Sequence, residues 1–241
     1  SIPMGSSSRY GDLRSLIIEK FPVENYEYNY LIDGRVVTDP YASAICGREV
    51  WGKAPKGESA LRSRAVFDEY DWQGDAPLQL AWQDVVIYAA HVRGFTRHAS
   101  SGVKAKGTFA GIAEKIPYLK ELGINQLELM PVYEFAEVET WDEKRPPLRR
   151  PGNGQKELLN YWGYADAYYF APKASYSATG DPVREFKDLV RELHRNGIEL
   201  VLEFHFPKGT RTAFVLDCIR HWVLEYHIDG IHVNRDHAPV E

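Results

Sequence analysis

Near the end of the chain, His232, Asn234 and Asp236 occupy alternate positions after the pair Asp229-Gly230. In a β-strand alternate side chains share one face, so an imidazole, a carboxamide and a carboxylate would line up along it. Imidazole and carboxylate suit proton transfer, and a carboxylate in this setting also suits nucleophilic attack. Asn234 is the weak member, because a carboxamide oxygen is neutral and does not readily form a covalent ester. Asp236 could in principle substitute, but one strand repeat displaces its carboxylate by roughly 7 Å, and its plainer reading is a solvated loop acid. His205, His232 and His237 with Asp236 lack close ligand spacing, so no metal is expected. A P-loop, a glycine dinucleotide fingerprint and a G-x-S-x-G elbow are all missing, and no cofactor is expected.

Such groups need elements to hold them, and the composition supplies an ordinary globular frame. The 241 residues are 44% hydrophobic, enough for a sizeable core in one or two domains. A net charge of −5 gives no overall field for nucleic acid or anionic lipid, so neither is an expected partner. No run of eighteen apolar residues and no apolar leader at Ser1 to Ser8 is present, and Cys46 and Cys218 read as free thiols. A cytoplasmic setting is the expectation. Six Trp and fifteen Tyr suit a surface that stacks on sugar rings, although for any single ring a core position is the better reading.

Residues 1–82 read as short strands, with Leu16 to Ile18 and Tyr26 to Ile32 apolar or alternating and Asp33-Gly34 a hairpin turn. The later part, from Trp51, reads as a connector. From residue 83 strand and helix alternate, which predicts parallel βα units over 83–241. The predicted strands are Val85 to Val92, Gln126 to Val132, Ile198 to Phe206 and Ile231 to Asn234. Between them, helices are predicted over Thr108 to Leu122, from Asp181-Pro182 to Asn196-Gly197, and over Thr210 to His227. The run Lys144 to Pro151 is basic and proline-rich and reads as an extended surface loop.

Several strings carry a family resemblance. Val86 to Thr96, Gly107 to Gly111 with Lys115 to Gly123, Leu127 to Val132, and Asn160 to Tyr164 with Phe170 to Pro172 are similar to successive barrel segments of glycoside hydrolase family 13. Within that α-amylase superfamily they look like glycogen-debranching enzymes and pullulanases. Tyr28 to Gly34 and Asp39 to Ala42 resemble the end of a family-48 carbohydrate-binding sandwich. The fold this implies is α/β: the first half, about four strands, of a (β/α)8 TIM barrel, preceded by part of a β-sandwich carbohydrate-binding module.

The same resemblance assigns roles and marks departures. His227 to Asn234 looks like the strand written H-x-D-G-F-R-x-D, with His232 at the Arg position and Asn234 at the nucleophilic Asp. Glu203 falls on the family's third-strand Asp, while Pro207 and Lys208 replace an Asn and a sugar-binding His. A long insertion that normally follows is absent. Tyr164 falls where the family stacks a Tyr under the reacting sugar, and it is either that platform or a core ring. Trp162 and His91 are further substrate-facing candidates, with packing as their plainer reading. Retaining hydrolysis needs two carboxyl groups about 5 Å apart, so the resemblance implies α-glucan binding or scaffolding without catalysis. Two alternatives stay open: an active α-1,6 debranching hydrolase or transferase completed by a missing segment, and a protein-interaction subunit. The expected partners are α-glucan and, for a half-barrel, its missing half or a partner subunit.

Overall fold

In a computed structural model, the structure describes residues 2–4, 9–11, 13–19, 26–57, 60–67, 69–140 and 157–233. Asn234, Asp236, His237 and the Lys144 to Pro151 run lie outside the described residues. Four parallel strands form the central sheet: β1 (Ile87–Ala90), β2 (Gln126–Leu129), β3 (Glu199–Phe204) and β4 (Gly230–Val233), adjacent in chain order. Ile87 pairs with Gln126, Glu199 with Gln126, and Leu202 with Ile231, which sets one register across the sheet. Sequential parallel neighbours joined by helical crossovers are the arrangement of a barrel half.

The strands have two unlike faces. Leu127, Leu129, Leu200, Leu202 and Phe204 point to the helices and are at most 1% exposed. Gln126, Glu128, Glu199, Val201, Glu203 and His232 alternate with them and line the opposite face, the one that a sheet of this topology turns inward as the lumen when it closes into a barrel. Against the outer face lie α4 (Pro182–Arg195) and α5 (Thr212–Tyr226). Asp181 caps α4 by accepting the Arg184 N–H at 3.1 Å, and Pro182 takes the first helical position, where its missing N–H costs nothing. Phe186, Leu189, Val190 and Leu193 make its buried stripe, as their spacing predicts. Val215, Cys218, Trp222 and Tyr226 do the same for α5. Cys46 and Cys218 are both buried free thiols, and among the described residues no helix is long and apolar enough to cross a membrane.

Between β1 and β3 two features differ from the sequence expectation. The single helix expected over Thr108 to Leu122 is two, α2 (Phe109–Ala113) and α3 (Ile116–Glu121), after a short α1 (Val92–Thr96). Pro117 has no N–H for the bond back to Ala113, so the chain restarts a helix with Pro in its first turn. After β2 an antiparallel pair also forms between Tyr133–Phe135 and Ala167–Pro172.

The expected sandwich is not formed within the described residues. Instead Arg62–Arg64 sits between Glu27–Tyr28 and Ala44–Cys46 in a small antiparallel sheet. Tyr30–Ile32 and Arg35–Val37 form a separate hairpin, its turn at Asp33 (φ 50°) and Gly34 (φ 76°) as Asp-Gly predicts. The physical reason lies in strand length and burial. Strands of two or three residues expose too few inward positions to build a second layer, and Leu31, Ile32, Val36 and Val37 remain exposed. Ala42 and Ile45 bury themselves on Ala171 of the barrel excursion. The run Leu16 to Ile18 forms no strand; Leu13–Arg14 pairs with Arg9–Tyr10.

Candidate functional site

The lumen face of β2, β3 and β4 gathers the polar groups available to a ligand. His232 leans across the middle strand and its Nδ1–H donates to Glu128 Oε1 at 2.7 Å. Glu203, the register partner of His232, accepts the Tyr164 hydroxyl on Oε2 at 3.2 Å. The Tyr164 ring lies 5.7 Å from His205, edge to face. Tyr164 is held in place by Gly163, whose φ of 83° and contact with the Phe135 ring leave no room for a Cβ. The loop is also tied by the Gly163 N–H donating to the Asn160 side chain at 3.0 Å.

The electrostatics follow from that geometry. Glu128 accepting a hydrogen bond raises the His232 pKa above its ordinary value; partial burial opposes this, and Glu203 adds to the rise. His232 is therefore inclined to carry a positive charge between two acidic side chains. Burial, then the charge of Glu203, pushes the Tyr164 hydroxyl up to about 12, so it stays a neutral donor. Two carboxylates, an imidazole and a phenol make a surface that can hydrogen-bond hydroxyls, and the exposed Tyr164 ring can stack on an apolar sugar face. Among the described residues, no group of three or more His, Cys, Asp and Glu could hold a metal ion.

The remaining sequence candidates separate. His91 is 7% exposed; its Nδ1 accepts the Gly94 N–H at 3.0 Å, and its Nε2–H donates to the Tyr161 carbonyl at 2.8 Å. Burial holds its pKa low, and its ring stacks 4.3 Å from Tyr161. Its polar atoms are committed to the protein, and it acts as cap and packing centre for α1. Trp162 stands edge-on to His91 and Tyr161 but is 50% exposed, so one side of the indole faces solvent. Structure thus brings Tyr164, Glu203 and His232 together, with Trp162 and His91 in the adjoining aromatic cluster. Pro207 accepts from Thr210, and residues 205–211 lead directly into α5. Glu128 was not singled out from the sequence; the alternation of Gln126, Glu128 and Met130 against Leu127 and Leu129 is the signal that marks its face.

The opposite ends of the strands carry a second histidine cluster. His194 donates from Nδ1 to Asp75 and from Nε2 to Asp229, both at 2.8 Å, with all three side chains at most 7% exposed. Asp229 also accepts the Leu200 N–H at 2.8 Å, and Asp75 accepts His227, which stacks on Trp72 at 3.8 Å. Through these bonds the cluster ties the connector, α4 and the start of β4 together.

Comparison with known proteins gives the lineage. A family profile described as the α-amylase catalytic domain matches residues 87–208. Over 92% of its length the chain is 32% identical to the chloroplastic isoamylase 1 of Oryza sativa subsp. japonica, covering 35% of that protein. It is 31% identical over 83% of its length to the glycogen debranching enzyme of Serratia proteamaculans, covering 36% of it. A pullulanase of Paenibacillus barengoltzii, solved with maltohexaose and α-cyclodextrin, shares the fold with a TM-score of 0.61 at 24% identity, over 83% of this chain and 37% of that one. The chain spans about a third of the length of the curated relatives it matches.

Proposed function

This chain belongs to the α-amylase family, glycoside hydrolase family 13, in its debranching-type group, and from that premise we propose that it binds α-glucan without cleaving it. Pullulanase of the same fold is a maltooligosaccharide binder, which supports an α-glucan as the ligand here. The observation that carries the reading is the state of His232. It stands where the resemblance calls for an arginine beside the nucleophile, it is turned to Glu128, and two residues on the sequence has Asn234. An imidazole bonded elsewhere and a neutral carboxamide leave a covalent glycosyl step without its attacking group.

Tyr164 and Trp162 offer the stacking surface, and Glu203 with Glu128 offers acceptors for sugar hydroxyls. A scaffolding role, with the exposed β1 edge and its Val86 and Ile87 meeting a partner subunit or the second half of a barrel, is the second reading. Affinity electrophoresis in glycogen tests the first. Retardation of the wild-type chain that is lost in Tyr164→Ala supports glucan binding, and unchanged mobility at every glycogen concentration refutes it. Reducing-end release from pullulan tests silence, and we expect none. Asn234→Asp combined with His232→Arg is also expected to give no turnover, because Lys208 and the short 205–211 link are unchanged.

A further inference from the structure

Between Asp84 and Glu114 the chain has no acidic residue, yet it carries Arg93, Arg97, His98, Lys104 and Lys106. In a protein of net charge −5 this is a local inversion of sign. Arg93 lies in α1 and Arg97 just after it, beyond the C-terminal end of β1, and the chain returns to both at Gly107. Gly107, at φ 77°, turns the chain so that a Cβ there would lie 3.2 Å from Arg93 Cγ, 3.3 Å from its Nη1 and 3.5 Å from Arg97 Cδ. The two arginine stems therefore flank Gly107, and Lys106 precedes it.

Arg97, His98, Lys104 and Lys106 are exposed, and among the described residues neither they nor Arg93 forms an ion pair with a carboxylate. The nearest acid in the chain, Glu114, is already spent, accepting the backbone N–H groups of Lys104 and Ala105 at 2.8 Å each. Arg93 is fixed by Trp51, whose ring lies 4.8 Å from the guanidinium. Burial, followed by the charge of Arg97, lowers the Arg93 pKa, and the charge of Glu137 offsets part of that lowering.

Neutral sugar hydroxyls do not require such a surface. Two guanidinium forks beside a lysine match a compact dianion with several oxygens, and the patch spans one loop, too small for a polyanion strand. We propose that the surface formed by Arg93, Arg97 and Lys106 around Gly107 is a phosphate-monoester site, taking either a free sugar phosphate or an ester carried on a glucan. Only the second source rests on the glucan-binding reading.

The test uses Arg97→Gln/Lys106→Gln, both at exposed positions and neither among the lumen residues Glu128, Tyr164, Glu203 and His232. Amide shifts are followed by NMR during titration with inorganic phosphate and with glucose 6-phosphate, and affinity electrophoresis compares phosphate-free with chemically phosphorylated glycogen. Expected are saturable shifts centred on residues 93–107 and binding about tenfold weaker in the double variant, the loss expected for charge-assisted bonds. Stronger retardation by phosphorylated glycogen, abolished in the variant, identifies the glucan-borne ester. Equal retardation by both glycogens with intact glucose 6-phosphate binding identifies the free ligand. Phosphate binding with no retardation by either glycogen removes the glucan reading and leaves this site standing. Absence of saturable shifts, or shifts unaltered by the double variant, overturns the proposal.

Discussion

The two ends of the barrel strands carry the same chemical pair and use it differently. At the base, His194 is clasped by Asp75 and Asp229 at 2.8 Å; in the lumen, His232 meets Glu128 at 2.7 Å. Distance does not distinguish them. Exposure does: the His194 side chain is 3% exposed and that of His232 is 57%. At the base both ring nitrogens of His194 are bonded to buried carboxylates, so the cluster contributes fold. In the lumen the second nitrogen of His232 has solvent on hand, so the cluster can contribute binding.

Truncation should separate the two most strongly. His194→Ala removes a buried hydrogen-bond partner from both Asp75 and Asp229, and urea unfolding should show a loss of about 3–5 kcal/mol. His232→Ala removes an exposed pair and should cost no more than about 1 kcal/mol. Equal losses would erase the distinction. Gly163→Ala comes next, since a Cβ would lie 2.7 Å from the Phe135 ring at a φ of 83°. A destabilisation of about 1–3 kcal/mol is expected, with glycogen retardation weakened as Tyr164 shifts.

The pH dependence sharpens the same contrast. Burial pulls the His194 pKa down, but the bonds and charges of Asp229 and Asp75 outweigh it, and the folded value stands above the ordinary 6.5. Its contribution to stability is therefore complete below pH 6.5 and is lost as pH rises through the raised folded value. Urea midpoints measured across that range should fall in the wild type, and the fall should be shallower in His194→Gln. Smaller still is the effect of Glu128→Gln. It removes the main cause of the raised His232 pKa, so the NMR-detected titration of that ring should move down toward 6.5, with little change in stability.

Sequence and structure agree where the signal is periodic and local. β1 to β4 and the buried stripe of α4 were legible because apolar residues recur at strand or helix spacing, and Asp181-Pro182 marks a helix start by its chemistry. The break between α2 and α3 was hidden by a stripe that continues in register from Phe109 to Leu119 across it. The strand Ala167–Pro172 was not legible as one because its run is unbroken by alternation and its partner lies beyond a long excursion. The base cluster was illegible for a related reason: His194 finds Asp75 at a separation of 119 residues, and only the closed fold brings them together. Of the site, Tyr164, Glu203 and His232 were visible through resemblance to the family. Glu128 was not, because its meaning comes from a histidine that departs from the family pattern.

Intact-mass spectrometry after incubation with an activated glycosyl donor, such as a maltosyl fluoride, tests the central claim most directly. With a carboxamide at Asn234 and His232 engaged by Glu128, an unmodified mass is expected at all times. A covalent glycosyl adduct mapped by proteolysis to the segment containing residues 230–241 would contradict it.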